Sequence, residues 1–584
     1  MSVDPTTLAV VRGQLEHIAD EMCVMQVRSA FSPVVAEMGD MANGIYSFDN
    51  GETVIQGRRG QPIFVASMQA AMASIIHSVA RRRDEIREGD VFILNDPYLG
   101  GTHVPDVKMA APFFFEGEPV FLLASTGHWP DVAGATAGSF GPKATDIHQE
   151  GLRIPVMRLV QGGELLNDVR DLLLNNTRLP HLVAGDMEAQ LNVLRVGHEQ
   201  LTRLFERYGA ATIKECAVEM RRRSEAEVRS YLAELPDGTY TFIDHMDNDG
   251  FNPQPLNVVL DLSINGSSMH LDFSRSSRPS KGPFNASRDT TIAACQVAIK
   301  HLFPLIPINA GSFAPFTYDI PPTTFLGVEA PSAVGGYFDC AARTIEAIFG
   351  ALGQADPERT YAASFGTGGV CVLTGTDART ASYYVAVLPY GGGYGASSRG
   401  DGLIYGTHIM GSANFPSLEA SEHDYPILWR RFALRSDSGG AGRMSGGSGI
   451  VMEIELLGDA TVTFLGDRAE FAPFGIAGGK AGAMNVVQPR VGEELVDLPM
   501  HSKGGPFELP AGSRIEMRTP GGGGYGDPLQ RPLDLVARDC VRGYISHEKA
   551  VAEYGTVFAA SGALDEEASS EFRRRLAQTP RPNS

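Results

Sequence analysis

His103-Val104-Pro105-Asp106-Val107-Lys108-Met109-Ala110-Ala111-Pro112-Phe113-Phe114-Phe115-Glu116-Gly117-Glu118-Pro119-Val120-Phe121-Leu122-Leu123-Ala124-Ser125-Thr126-Gly127-His128-Trp129-Pro130-Asp131-Val132 contains one pattern twice: HxPDV opens it and HxPDV closes it. Between the copies, two apolar runs flank Glu116-Gly117-Glu118, the signature of a β-hairpin. If the chain turns at Gly117, the ends of the hairpin meet and both HxPDV segments lie side by side. Two imidazoles and two carboxylates then share one end of a sheet, with a proline before each Asp limiting backbone freedom. Two His with one or two Asp suit a divalent zinc, manganese or iron ion. With an open position, such an ion lowers the pKa of a bound water or acts as a Lewis acid on a carbonyl. The competing reading is two surface turns whose histidines bond to backbone. Glycines at 100, 101, 127 and 134 fit the metal reading, since they let a ligand approach the backbone.

Outward from the hairpin, Pro5 precedes apolar residues at helical spacing over 6–30, and a second helix is expected from about Val65 to Arg82. Residues 90–96 (DVFILND) read as a short strand. Helix returns over 187–234 and is broken by Pro236-Asp237-Gly238. Strands then dominate (TYTFIDHM, LNVVLDLSI, MHLDFS), interrupted by helices near 287–303 and 342–354. After about 360 the chain is glycine-rich and β-like, and 531–576 is helical again. The expected class is α+β, with a helical, hairpin-containing N-terminal half and a β-rich, glycine-rich C-terminal half. Three regions are expected: 1–236 carrying the metal ligands, 237–360 mixed, and 361–584 glycine-rich.

Length and composition fit this plan. At about 150 residues per domain, 584 residues make two to four domains. Lys and Arg number 49 against 69 Asp and Glu, a formal charge of −20, which disfavours a phosphate-tracking nucleic-acid binder. No apolar run reaches the eighteen or so residues of a membrane span, and no secretory leader is visible. The 6 cysteines form no CxxC pair and fit a reducing cytoplasm.

Asn95-Asp96-Pro97-Tyr98-Leu99-Gly100-Gly101-Thr102-His103-Val104-Pro105-Asp106 resembles the signature of the hydantoinase B / oxoprolinase family. The resemblance continues through Gln149–Pro155, Lys281–Ala286, Asp437–Arg443 and Thr519–Pro528, in the expected order and over nearly the whole chain. It implies metal ligands Asp40, His103, Asp106 and His128, and leaves Asp131 either to orient an imidazole or to serve the structure. Asp40 comes from the resemblance alone. The family's activity implies ring opening of a cyclic amide (hydantoin, oxoproline or lactam). ATP and Mg would be held by a partner A subunit in a hetero-tetramer. The alternatives are a ketone carboxylase subunit using bicarbonate and a non-catalytic assembly subunit with a structural metal.

Two positions depart from the family pattern. Trp129 stands where a second histidine is common and Phe64 where a histidine is usual, so a more apolar pocket is expected. Candidate helpers are Glu150 and His148 as acid/base groups and Arg153 as an anion holder. Each also has a structural reading as turn cap, exposed side chain or ion pair.

Other signals carry less. Gly475–Ala481 lacks the spacing of a phosphate loop. Ser436-Asp437-Ser438-Gly439-Gly440 has the look of a protease nucleophile loop without its partners. Gly521-x-Gly523-x-x-Gly526 opens no helix, which a dinucleotide site needs; tight turns or close packing explain such glycines better. His408, His423 and Asp401 could line a pocket, although lone histidines are more often structural.

Overall fold

The computed structural model describes residues 3–82 and 85–578, and its architecture is mixed α+β. The N-terminal part is a seven-stranded sheet in the order β2-β1-β5-β4-β3-β6-β7. Its strands are β1 (Met41–Ser47), β2 (Thr53–Gln56), β3 (Val91–Leu94), β4 (Asp106–Phe115), β5 (Glu118–His128), β6 (Met157–Gln161) and β7 (Glu164–Leu165). The hairpin turns at Glu116 and Gly117, both at positive φ (53° and 82°), matching the twist of its strands.

Helices cover this sheet on both faces, which is why its strands read as nearly continuous apolar runs. On one face lies α1 (Pro5–Ser29), joined later by α3 (Pro180–Tyr208); on the other lies α2 (Pro62–Arg82). The strand period of two sorts the side chains. Met109 and Leu123 pack with Leu15, Ile18 and Leu201 of α1 and α3. Ala110, Leu122 and Ala124 pack with Met68, Met72 and Ile75 of α2. By length and composition α2 could cross a membrane, but Phe64, Met68, Ala71, Met72 and Ile75 are buried in this core.

After α4 (Ala210–Leu232) a four-stranded sheet, β11-β10-β9-β8, forms from β8 (Gly238–Met246), β9 (Leu256–Asn265), β10 (Ser268–Asp272) and β11 (Phe316–Asp319). Against it pack α5 (Arg288–Leu302) and α6 (Tyr337–Ala355), the latter buried over nearly its whole length. The last part holds two sheets. One is β13-β12-β16-β19, from β12 (Val370–Asp377), β13 (Ser382–Pro389), β16 (Ala460–Leu465) and β19 (Gly504–Leu509). The other is β14-β15-β20-β17-β18, from β14 (Ile427–Leu434), β15 (Ile450–Leu456), β17 (Val486–Val491), β18 (Glu494–Leu495) and β20 (Arg514–Arg518). Helices Leu533–Val541, His547–Tyr554 and Glu566–Gln578 close the described chain.

The glycine runs pack against one another as extended backbones. A Cβ on Gly521 would meet Ser438 O at 1.9 Å, on Gly522 Tyr394 O at 1.9 Å, on Gly523 Phe474 O at 1.9 Å and on Gly524 Ala441 O at 2.2 Å. Positions 521 and 524 thus face the same neighbouring segment, a three-residue period like that of polyproline II. Backbone bonds such as Gly440 N–H to Gly522 O (2.8 Å), Gly523 N–H to Ala363 O (2.8 Å) and Gly524 N–H to Lys480 O (2.9 Å) join the segments. Close packing is their purpose, and the GxGxxG string has no dinucleotide geometry.

A buried ionic cluster fastens this part to α6. Arg343 and Arg468 share Asp244 and Glu346, while Lys503 pairs with Asp467 at 2.9 Å. Asp339 accepts from Gly368 N–H at 3.0 Å and from the Thr367 hydroxyl at 2.8 Å.

Candidate metal centre

His103, Asp106 and His128 each offer a ligand atom, and all three atoms lie within 4.8 Å of one another. Asp106 begins β4, His128 ends β5, and the two are register partners. Both even-numbered positions face α2, as Lys108 and Ala110 do. His103 approaches from the preceding loop, its Nε2 3.2 Å from Asp106 Oδ1. That loop packs flat on α2: Gly100 sits at φ 88°, and a Cβ there would meet Ala71 N at 2.1 Å. Asp40 precedes β1, and its carbonyl accepts from His128 N–H at 3.1 Å. Its side chain lines the same cavity as His103 and His128.

The cavity measures about 70 Å³ and is walled by Phe64, Phe140, Tyr337, Phe338 and Met410, with His408 reaching in from the last part of the chain. The imidazoles stand with ring centroids 5.1 Å apart, and Phe140 stacks on His128 at 5.8 Å.

The electrostatics leave donors unspent. The Thr102 hydroxyl donates to Asp106 Oδ2, Asp106 Oδ1 has His103 Nε2 beside it at 3.2 Å, and the Nδ1 atoms of His103 and His128 are buried without a hydrogen-bond partner. Buried polar atoms rarely go unpaired, so two free imidazole nitrogens on side chains clustered with a buried carboxylate fit a place built for a ligand. Burial opposes ionisation of Asp106, but His103, His128 and Lys108 outweigh it and hold the carboxyl down to about 2. Burial holds the His128 imidazole down to about 4, in the neutral form that ligates metals. Burial, then the charge of Asp106, pushes the Asp40 carboxyl well above its ordinary range. A divalent cation there would relieve both costs. Carboxylate oxygens with imidazole nitrogens therefore fit zinc, manganese or iron.

Other expected residues lie elsewhere. Glu150 is buried, but its carboxyl oxygens accept from Val334 N–H (3.1 Å) and Gly335 N–H (2.6 Å), clamping the loop that leads into α6. Arg153 pairs with Asp96 at 3.5 Å, and His148 is exposed on the one-turn helix Ile147–Glu150. None of the three lines the cavity. Asp131 accepts from Ala133, Gly138 and Arg178 N–H groups and from the Arg178 guanidinium, which ties two loops and spends it away from the imidazoles. Trp129, one residue past His128, falls on the opposite face, where its Nε1–H donates to Gln190 of α3 at 2.9 Å. Phe64 does line the cavity, so only one of the two departures makes it more apolar. Gly101, Gly127 and Gly134 are packed against Asp96, Gln26 and Gln190, and Glu150 respectively; with Gly100 on α2, none opens a ligand's path.

Of the three residues that could line a pocket, His408 does line this cavity. It is half-buried, its Nδ1 has no partner, and burial holds it down to about 4. The segment that carries it is buckled onto the N-terminal part: Ile63 N–H donates to Met410 O (3.0 Å), Asn414 N–H to Met38 O (2.8 Å) and Ser412 N–H to Gln61 Oε1 (2.5 Å). His423 and Asp401 lie elsewhere, paired with Asp424 and with Arg531.

The hydantoinase B/oxoprolinase family model matches residues 4–528. The chain is 32% identical to the beta subunit of the caprolactamase of Pseudomonas jessenii, over 98% of this chain and 99% of that one. It is 29% identical to the B subunit of a putative D-/L-hydantoinase of Pseudomonas sp. (strain NS671), over 98% of each. Among solved structures, the ATP-dependent caprolactamase from Pseudomonas jessenii superposes with a TM-score of 0.91 at 30% identity, covering 98% of this chain and 100% of that one. Nucleotide-free acetone carboxylase superposes with a TM-score of 0.88 at 19% identity, over 99% of this chain and 84% of that one, a likeness of fold.

Proposed function

The chain belongs to the hydantoinase B/oxoprolinase family, and from that premise we propose that it is the metal-binding subunit of a two-component, ATP-dependent cyclic amidase. The observation that carries the reading is the convergence of His103, Asp106 and His128 on one buried spot, each offering a ligand atom within 4.8 Å of the others. End-to-end similarity to the caprolactamase and hydantoinase subunits favours amide ring opening over ketone carboxylation.

An unstrained amide is a poor electrophile. In this reading a partner A subunit, holding ATP and Mg, activates the amide oxygen by phosphorylation, and a hetero-tetramer brings the activated ring to this chain. Asp40, His103, Asp106 and His128 would hold one zinc, manganese or iron ion. Such an ion supplies Lewis acidity and a lowered pKa for water.

The chain's own residues do the rest. Thr102 takes one oxygen of Asp106 and so aims the other at the ligand position. Phe140, Tyr337 and Phe338 wall the site from bulk water and so strengthen every charge interaction inside it. His408, neutral at physiological pH, is placed to accept or donate a hydrogen bond to the reacting group.

The test is ring opening of cyclic amides by the chain with its partner subunit, with and without ATP and with and without the divalent ion. Opening that needs all three components supports the reading. Incorporation of labelled bicarbonate into a ketone, with no ring opening, overturns it.

A further inference from the structure

At about 70 Å³ the metal cavity is far smaller than the roughly 300–1,000 Å³ of ordinary small-molecule sites. It has room for an ion and water, and not for a whole ring. A second space of about 280 Å³ adjoins it, with Pro389 and Ala413 forming walls of both. One side of this cleft is aromatic and firmly backed: Tyr405 and Phe415 pack on Phe432 at 5.6 and 5.3 Å between centroids. Thr407, Ser412 and Asn414 supply uncharged polar groups.

Neither lining includes a lysine or an arginine. Lys108, two residues from Asp106, turns its ammonium over the Phe64 ring, 5.9 Å from the centroid. Arg343, Arg468 and Lys503 are committed to buried carboxylates. The carboxylates of Asp40 and Asp106 formally balance a divalent ion, and Lys108, the cation beside Asp106, lines neither space. A ring carboxylate in this cleft would meet aromatic faces and uncharged polar groups with no cation to pair with, which costs it relative to an uncharged ring.

Resting on the cyclic-amidase reading, we propose that this cleft is the ring-binding subsite and that it selects uncharged cyclic amides over rings bearing a carboxylate. The aromatic wall takes the flat face of the ring, and Thr407, Ser412 and Asn414 take its remaining polar edge.

Two matched pairs test this with the chain and its partner subunit, ATP and the divalent ion: 2-pyrrolidinone against 5-oxoproline, and hydantoin against hydantoin-5-acetate. The uncharged member should have the higher kcat/KM by about 100-fold. Thr407→Lys should narrow that ratio at least about tenfold with metal content unchanged; Asn414→Lys serves if the first variant does not fold. Equal or better turnover of the carboxylated members overturns the proposal while leaving the amidase reading intact. So does an unchanged ratio in a folded, metal-loaded lysine variant, since discrimination would then lie in the partner. If neither member of either pair is opened with ATP, the amidase reading itself falls and the proposal with it.

Discussion

Asp106 faces His128 directly across the β4–β5 ladder, and both side chains point to the α2 face of the sheet. Register alone therefore places a carboxylate beside an imidazole, and the loop before β4 adds His103. The same parity sends Trp129 to the other face. Thr102 holds one Asp106 oxygen, so Thr102→Val should leave the fold intact yet weaken metal binding by about 10- to 100-fold, read by competition with a chelator.

Glu150 acts as a clamp on the loop before α6. Glu150→Ala strands the Val334 and Gly335 N–H groups and should cost about 2–4 kcal/mol in urea unfolding.

The same residue gives stability a pH dependence. Burial raises the Glu150 carboxyl from 4.5 to about 8, against the pull of its two N–H donors. The native state then keeps a proton that the unfolded chain releases. Its contribution is complete below pH 4.5 and is lost as pH rises through about 8. Glu150→Gln should flatten the fall in thermal stability between those limits; an unchanged slope would assign it to other groups.

The glycine bundle makes a sharp contrast. Gly523→Ala drives a methyl into Phe474 O at 1.9 Å, whereas a methyl on Gly400 would have nothing within 4 Å of it. Gly523→Ala should abolish soluble folded protein, and Gly400→Ala should leave the melting temperature within about a degree or two.

Arg343 is fully buried between Asp244 and Glu346. Arg343→Met leaves both carboxylates without it and should destabilise by about 3–5 kcal/mol, measured by denaturant unfolding.

The hairpin, its turn at Glu116-Gly117 and the meeting of His103 with His128 were legible because a period of two and a turn dipeptide are local signals. The helices over 6–30 and 187–234 were legible by their spacing. Asp40 carries no local mark; only its resemblance to a family pattern singled it out, and β1 pairing with β5 brings it to the cavity. Glu150, His148 and Arg153 stand outside the cavity lining, since proximity in sequence to a motif does not say which way a loop faces. His408 could be offered as a pocket residue but not assigned to this pocket: it lies far from His128 along the chain, and only tertiary packing of its segment on Gln61 and Ile63 brings it in.

The proposal that His103, Asp106, His128 and Asp40 together hold a divalent ion is the one on which everything else proposed for this chain stands. Elemental mass spectrometry of the purified chain, wild type beside His103→Ala and Asp40→Ala, tests it most directly. The account predicts about one equivalent of zinc, manganese or iron in the wild type and its loss from both folded variants. A folded His103→Ala protein that keeps its full metal load, or a wild type that binds none when supplied with these ions, would contradict it.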